Sequence, residues 1–223
     1  MAKALDLDEQ EQLDQIKHFW KTWGNLISWI LIAVLGSYAA WNGYQYWERS
    51  QAAKAAALYD EVERAVGSGD IARVERSLAD MKDKFGRTQF AQQSAFLAAK
   101  TLQAQGKADA AREALSWVAQ VATDPGYRDI ARLRLAALHL DAKAYEDALK
   151  QLGSDFTPEM SGLAADLRGD VLQAKGQNPE AAVAYQQAWK KLADTPDYRR
   201  LVQAKLNALG IDPDATAVSE TTK

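Results

Sequence analysis

LRGDVLQAKGQNPEAAVAYQQA, residues 167–188, is the stretch that decides the fold. Its first half is a helix-forming run holding Gly169. The run breaks at Gly176-Gln177-Asn178-Pro179, where Gly and Asn cap a finished helix and Pro opens the next. The second half places Ala181, Tyr185 and Ala188 four and three residues apart, on one face of a second helix. Small residues let two helices approach closely, and one large ring fills the space beyond them. The stretch therefore reads as an antiparallel helix pair that must stack on further pairs to bury its apolar face.

Working outward, the same spacing recurs in Ala99, Gly106, Ala111, Leu115 and Val118, and in Ala136, Lys143, Ala148 and Leu152. A fainter copy is Val62, Gly69, Val74 and Leu78. The equivalent residues Ala111, Ala148 and Ala181 lie 37 and 33 positions apart. This resembles the tetratricopeptide repeat, the helix-turn-helix unit of about 34 residues. Breaks at residues 85–88, 105–107, 124–126, 141–143, 153–158, 176–179 and 195–197 separate helical stretches of about 13 to 17 residues, and no strand pattern appears. The expected fold is all-α. We assign a tetratricopeptide-like solenoid to residues 48–210, closed by a capping helix, Asp197 to Leu209, with one wet face bearing Tyr198, Arg199, Arg200, Gln203 and Lys205. Residues 211–223 read as a flexible tail.

Upstream of the repeats, Lys21 and Glu48 bracket 26 residues without a charge. As a helix they reach about 39 Å, enough for a hydrocarbon core of about 30 Å and part of both headgroup layers. The seven Leu, Ile and Val residues between Leu26 and Ala40 favour insertion by about 2 to 4 kcal/mol. Trp20 and Trp23 at one end, and Trp41, Tyr44, Tyr46 and Trp47 at the other, form the aromatic belts of a transmembrane helix over residues 22–47. Ser37-Tyr38-Ala39 offers a cleavage site. The residues before the span are acidic, however, and the uncharged run continues past that site, which favours an uncleaved anchor. No breaker stands between Trp47 and Val66, so the anchor is expected to run on as helix until Gly67-Ser68-Gly69. Asn25, Ser28, Gly36 and Ser37 are small or polar and are candidate packing positions against another membrane helix.

Charge does little to fix topology, since Lys17 and Lys21 flank one end of the span and Arg49 and Lys54 the other. Long domains translocate largely regardless of charge, so residues 1–21 are expected in the cytoplasm and the repeats on the far side. The N-terminal segment either forms a short amphipathic helix through Leu5, Leu13 and Ile16 or stays a solvated tail.

The chain has 223 residues, a net charge of −3 and no cysteine. Its composition excludes disulfides and thiolate chemistry, and it lacks the dense basic run that binding nucleic acid requires. His18 and His139 have no ligand-like partners, no phosphate-binding glycine loop is present, and Asp166 and Asp170 read as a solvated acidic face. No catalytic, metal or cofactor site is expected. A repeat solenoid offers instead a concave face lined by the first helix of each pair. The repeat register puts Tyr59 and Glu63, then Phe96, Lys100 and Gln103, then Ile130, Leu133, Ala137 and Leu140, then Asp166, Asp170 and Gln173 on that face. Its middle is apolar and its last unit acidic, suited to an extended or amphipathic partner segment. Tetratricopeptide domains that clamp C-terminal carboxylates use Lys and Asn there. Only Lys100 is available in this register, so no such clamp is expected on this face.

Taken together, the acidic start Leu7-Asp8-Glu9-Gln10-Glu11-Gln12, the membrane run closing on Trp41-Asn42-Gly43-Tyr44-Gln45-Tyr46-Trp47 and the repeats resemble the YfgM-like family of ancillary SecYEG translocon subunits of Gram-negative bacteria. The resemblance implies a single-pass protein of the bacterial inner membrane with a periplasmic repeat domain. Its implied partners are the SecYEG translocon, a membrane-anchored periplasmic chaperone of the prolyl-isomerase type, secretory client proteins and the lipid bilayer. It implies no enzyme and no cofactor. The alternative is a regulatory tether whose cytosolic acidic segment, Asp6 to Asp14, binds a signalling protein.

Overall fold

A computed structural model describes residues 7–153, 155–192 and 195–213, with side chains from Gln12 onward. Expectations for residues 1–6, including Leu5 and Asp6, and for residues 214–223 lie outside the described residues. The chain divides into two compact units, Met1–Ala53 and Lys54–Lys223. Among the described residues there are nine α-helices and no strand.

The first unit is carried by α1, Leu7–Ser68, which is already helical where a solvated tail was the alternative. It is the one described helix long and apolar enough to cross a bilayer. Trp29, Ile32, Leu35 and Trp41 are each about 60% exposed, a surface that water would oppose and acyl chains accept. Its polar side chains turn back on the helix. Ser37 Oγ donates to the Ala33 carbonyl at 2.7 Å and Thr22 Oγ1 to that of His18 at 2.9 Å, which satisfies them without water. Asn25, Ser28, Gly36 and Ser37 all lie exposed on this helix.

The second unit begins with the Lys54–Ser68 end of α1 and continues through α2 (Ile71–Phe85), α3 (Gln89–Ala104), α4 (Ala108–Val121), α5 (Pro125–Asp141), α6 (Tyr145–Gln151), α7 (Pro158–Ala174), α8 (Asn178–Lys191) and α9 (Pro196–Ala208). From α2 on, each helix packs on its successor, and α5 also packs on α7, the geometry of stacked pairs. The turn position of every repeat has positive φ: 70° at Gly69, 75° at Gly106, 57° at Lys143 and 85° at Gly176. Three of the four carry glycine because a Cβ there crowds the following carbonyl, and Lys143 bears that strain.

The core is built from the repeat positions. Ala65, Val74, Ala98, Ala99, Ala111, Leu115 and Val118 belong to one buried cluster, and Ala181, Tyr185, Ala188, Val202 and Leu206 to another. Ala136, Ala148 and Leu152 join the α5–α6 pair to Ala164 and Val171 of α7. At Gly169 a Cβ would lie 2.3 Å from Tyr185 Cε1, so the ring occupies the volume that any side chain would need.

One element departs from expectation. Helix α6 has only 7 residues, short of the 13 to 17 anticipated for the helical stretches in general, although the breaks at residues 141–143 and 153–158 left it only residues 144–152. Arg132 of α5 explains its early end: Nε donates to the Gln151 carbonyl at 3.1 Å and Nη2 to Asp155 Oδ1 at 2.8 Å. The guanidinium thus takes over a terminal carbonyl that a further turn would have used. It also lies 4.3 Å from the centre of the Phe156 ring, and buried Asp129 accepts from the Thr157 N–H at 2.8 Å. The α6–α7 connection is therefore held by α5.

Candidate interaction face

The first helix of each pair carries the concave register, and most of its side chains already have partners within the fold. Tyr59 packs against Phe90 with the rings tilted by 55° and their centres 5.9 Å apart. Burial and a hydrogen bond to Glu63 raise its phenol above the ordinary range. Phe96 stacks on Tyr127 at 5.9 Å and is approached by the Arg134 guanidinium at 4.9 Å, while the Tyr127 hydroxyl accepts from Gln93 at 3.0 Å. Leu133 and Leu140 pack against the α5–α6–α7 cluster. Ile130 and Ala137 are partly buried, and Glu63, Lys100 and Gln103 are exposed.

At the last pair the structure corrects the reading of a solvated acidic face. Asp166 is 2% exposed. Its two carboxylate oxygens accept from Lys205 Nζ at 2.9 Å each, and Oδ2 also accepts from the Tyr198 hydroxyl at 2.8 Å. Asp170 Oδ1 lies 2.7 Å from the same ammonium and accepts from the Tyr185 hydroxyl at 2.8 Å. The Gln173 side-chain oxygen is 2.9 Å from that hydroxyl. Two carboxylates, one ammonium and two phenols form a closed polar cluster between α7, α8 and α9. Burial first, then the adjacent carboxylates, push both phenols far above the usual tyrosine range. Lys205, read as part of a wet face, turns inward instead, and Tyr198, still 37% exposed, reaches Asp166 with its hydroxyl. Their separation of seven residues, two helical turns, was the signal that they share a face.

Several contributors escaped the register altogether. Tyr127 and Arg134 complete the Phe96 stack, and Asp129 and Arg132 fix the α6–α7 connection. Nothing in the repeat pattern marks them, because each acts through a partner on another helix.

Comparison with known proteins follows this geometry. The tetratricopeptide repeat-like domain family matches residues 17–211. An ancillary SecYEG translocon subunit of Neisseria gonorrhoeae is 32% identical over 208 residues, 92% of this chain and 99% of the relative. The chain belongs to the ancillary SecYEG translocon subunit family. The Escherichia coli relative of the same name is 28% identical over 217 residues, 92% of this chain and 98% of its own length. That of Haemophilus influenzae is 24% identical over 206 residues and is covered in full. No solved structure gives a significant match. Among the described residues no group of three acidic or histidine side chains is placed to hold a metal ion. His139 is partly buried on α5, where burial lowers its pKa despite Asp147.

Proposed function

We propose that this protein is a non-enzymatic scaffold held in the bacterial inner membrane by α1 and associated with the SecYEG translocon. In this reading the N-terminus is cytoplasmic and the repeats are periplasmic, where they assist proteins emerging from the membrane together with a membrane-anchored chaperone of the prolyl-isomerase type. The observation that carries the reading is similarity extending over 99% of a translocon subunit at 32% identity, on a chain that joins a membrane-length helix to a repeat domain.

The geometry supports division of labour. Asn25, Ser28, Gly36 and Ser37 offer places for a neighbouring membrane helix to approach. On the repeats, exposed Lys100 and Gln103 are the groove positions left for a client, with Glu63, exposed but hydrogen-bonded to Tyr59, beside them and Tyr59, Phe96, Leu133, Ala137, Leu140, Asp166, Asp170 and Gln173 forming the wall behind.

The test is co-purification with the translocon from membranes solubilised in mild detergent. Removing residues 1–48 is expected to abolish it while leaving a folded helical domain, and a soluble domain bound at full strength would overturn the reading. Protease protection in intact and osmotically opened cells fixes the side of the membrane: the repeats should resist protease until the outer barrier is opened.

A further inference from the structure

An open cavity of about 440 Å³ lies between α2, α4, α5 and the end of α6, and none of its lining residues belongs to the concave register. Gln151, the last residue of α6, lines it, and α6 has 7 residues where α4 and α8 have 14. Cavities of this size accommodate small organic groups.

Its lining has a specific chemistry. Lys82 of α2 is partly buried, and its ammonium lies 5.4 Å from the centre of the Trp117 ring of α4. It makes no ion pair among the described residues. Burial pushes its pKa down, against the pull of Glu113, so the site holds a cation short of a counter-charge. Arg112 pairs with Asp109 at the rim through one guanidinium nitrogen, leaving further N–H donors on its fork. His139, its pKa lowered by burial, is neutral near pH 7 and offers an N–H donor. Trp117 supplies the apolar wall. The one acid of the lining, Glu113, offsets part of the positive charge, which suits a single negative charge and disfavours a dianion such as phosphate.

We propose that this cavity binds a carboxylate attached to an apolar group, as presented by a polypeptide ending in an apolar residue or by an acidic side chain next to one. Lys82 and Arg112 hold the carboxylate, His139 donates to it, and the apolar group lies against Trp117. The site is separate from the concave face, so its test and that of translocon association succeed or fail independently.

The experiment is a titration of the full-length, ¹⁵N-labelled chain in detergent micelles, followed at the Trp117 indole N–H signal, which Trp117→Phe identifies. The probes are N-acetyl-L-leucine, its uncharged amide, and N-acetyl-L-aspartyl-L-leucinamide. A saturable shift is expected with a carboxylate probe and none with the amide. Binding by the first alone assigns the site to chain termini, and binding by the third extends it to acidic side chains. Lys82→Gln should weaken binding about tenfold or more, the scale of a lost charged hydrogen bond, while Lys82→Arg retains it. Glu113→Gln should tighten it. Equal response to the amide, no saturable shift with either acid, or a Glu113→Gln chain that binds no better than the parent would overturn the proposal.

Discussion

Replacing Gly169 with alanine tests the packing logic of the repeats at its tightest point. The new Cβ would meet Tyr185 Cε1, Cδ1 and Cζ at 2.3, 2.4 and 2.8 Å, whereas carbon atoms settle at about 3.5–4.0 Å. The ring must therefore retreat by about 1 Å. It is fully buried, and its hydroxyl donates to Asp170 at 2.8 Å. Overpacking of this kind costs about 1–3 kcal/mol, and loss of a hydrogen bond to a charged group adds about 1.5–3 kcal/mol. The better helix propensity of alanine returns about 1 kcal/mol. The net expectation is a loss of about 1.5–5 kcal/mol, or roughly 3–20 °C in melting temperature for a chain of this length. Urea unfolding of the full chain in mild detergent, followed by circular dichroism, measures it. Gly67→Ala is the internal control, since nothing lies within 4 Å of its Cβ position and its backbone is ordinary helix; it should gain about 0.5–1 kcal/mol. Tyr185→Leu should relieve part of the penalty at Gly169, giving a favourable coupling in the double-mutant cycle. A Gly169→Ala chain as stable as the parent would refute the claim that ring and backbone compete for one volume.

Three further outcomes follow from the same coordinates. Lys143→Gly should stabilise the chain by about 0.5–1 kcal/mol by removing the one left-handed non-glycine residue among the described residues; a loss on urea unfolding would mean that the turn relaxes in solution. Lys205→Met leaves Asp166 buried without its cation and should cost about 3–5 kcal/mol, part of which Asp166→Asn restores in the double variant; an unchanged denaturation midpoint would show that the cluster is not formed. His139 has its pKa lowered in the folded state, so between the unfolded value near 6.5 and the lower folded one the unfolded chain binds more protons. Stability should then fall as pH is lowered through that window. His139→Gln should flatten this part of the profile, and an identical profile would remove His139 as its cause.

The fold was largely legible because its determinants are local. Small residues, a turn position and a buried apolar residue recur at fixed spacing, and the small and apolar sites they predicted outside the turns, from Val62 to Ala188, are buried in the structure. Length and absence of charge marked the anchor in the same local way. What sequence could not convey was pairing between helices far apart in the chain. Asp166 and Lys205 are 39 residues apart, and Asp129 and Thr157 are 28 apart. An acid pair one turn apart on a helix gives no sign of the ammonium that will meet it. The breaks at residues 141–143 and 153–158 already marked a short α6; what they did not show is its hold by Arg132, 19 residues upstream of Gln151.

These long-range pairs also bear on where a partner docks. A repeat register assigns faces, but on the concave face it cannot separate side chains that wait for a ligand from those that bind the solenoid together. Phe96 illustrates the difference. Its spacing places it among groove residues, yet Tyr127 covers it and Arg134 lies 4.9 Å from its ring centre, so its substitution would loosen the stack of pairs before it touched any client. Lys100 and Gln103, one and two turns further along the same helix, are exposed and have no comparable duty. Changing these two should alter client association with little effect on stability, whereas Phe96→Ala should lower both together. Measuring unfolding and co-purification on the same variants separates contact from scaffold, and equal losses of stability at Lys100 and Phe96 would remove the distinction.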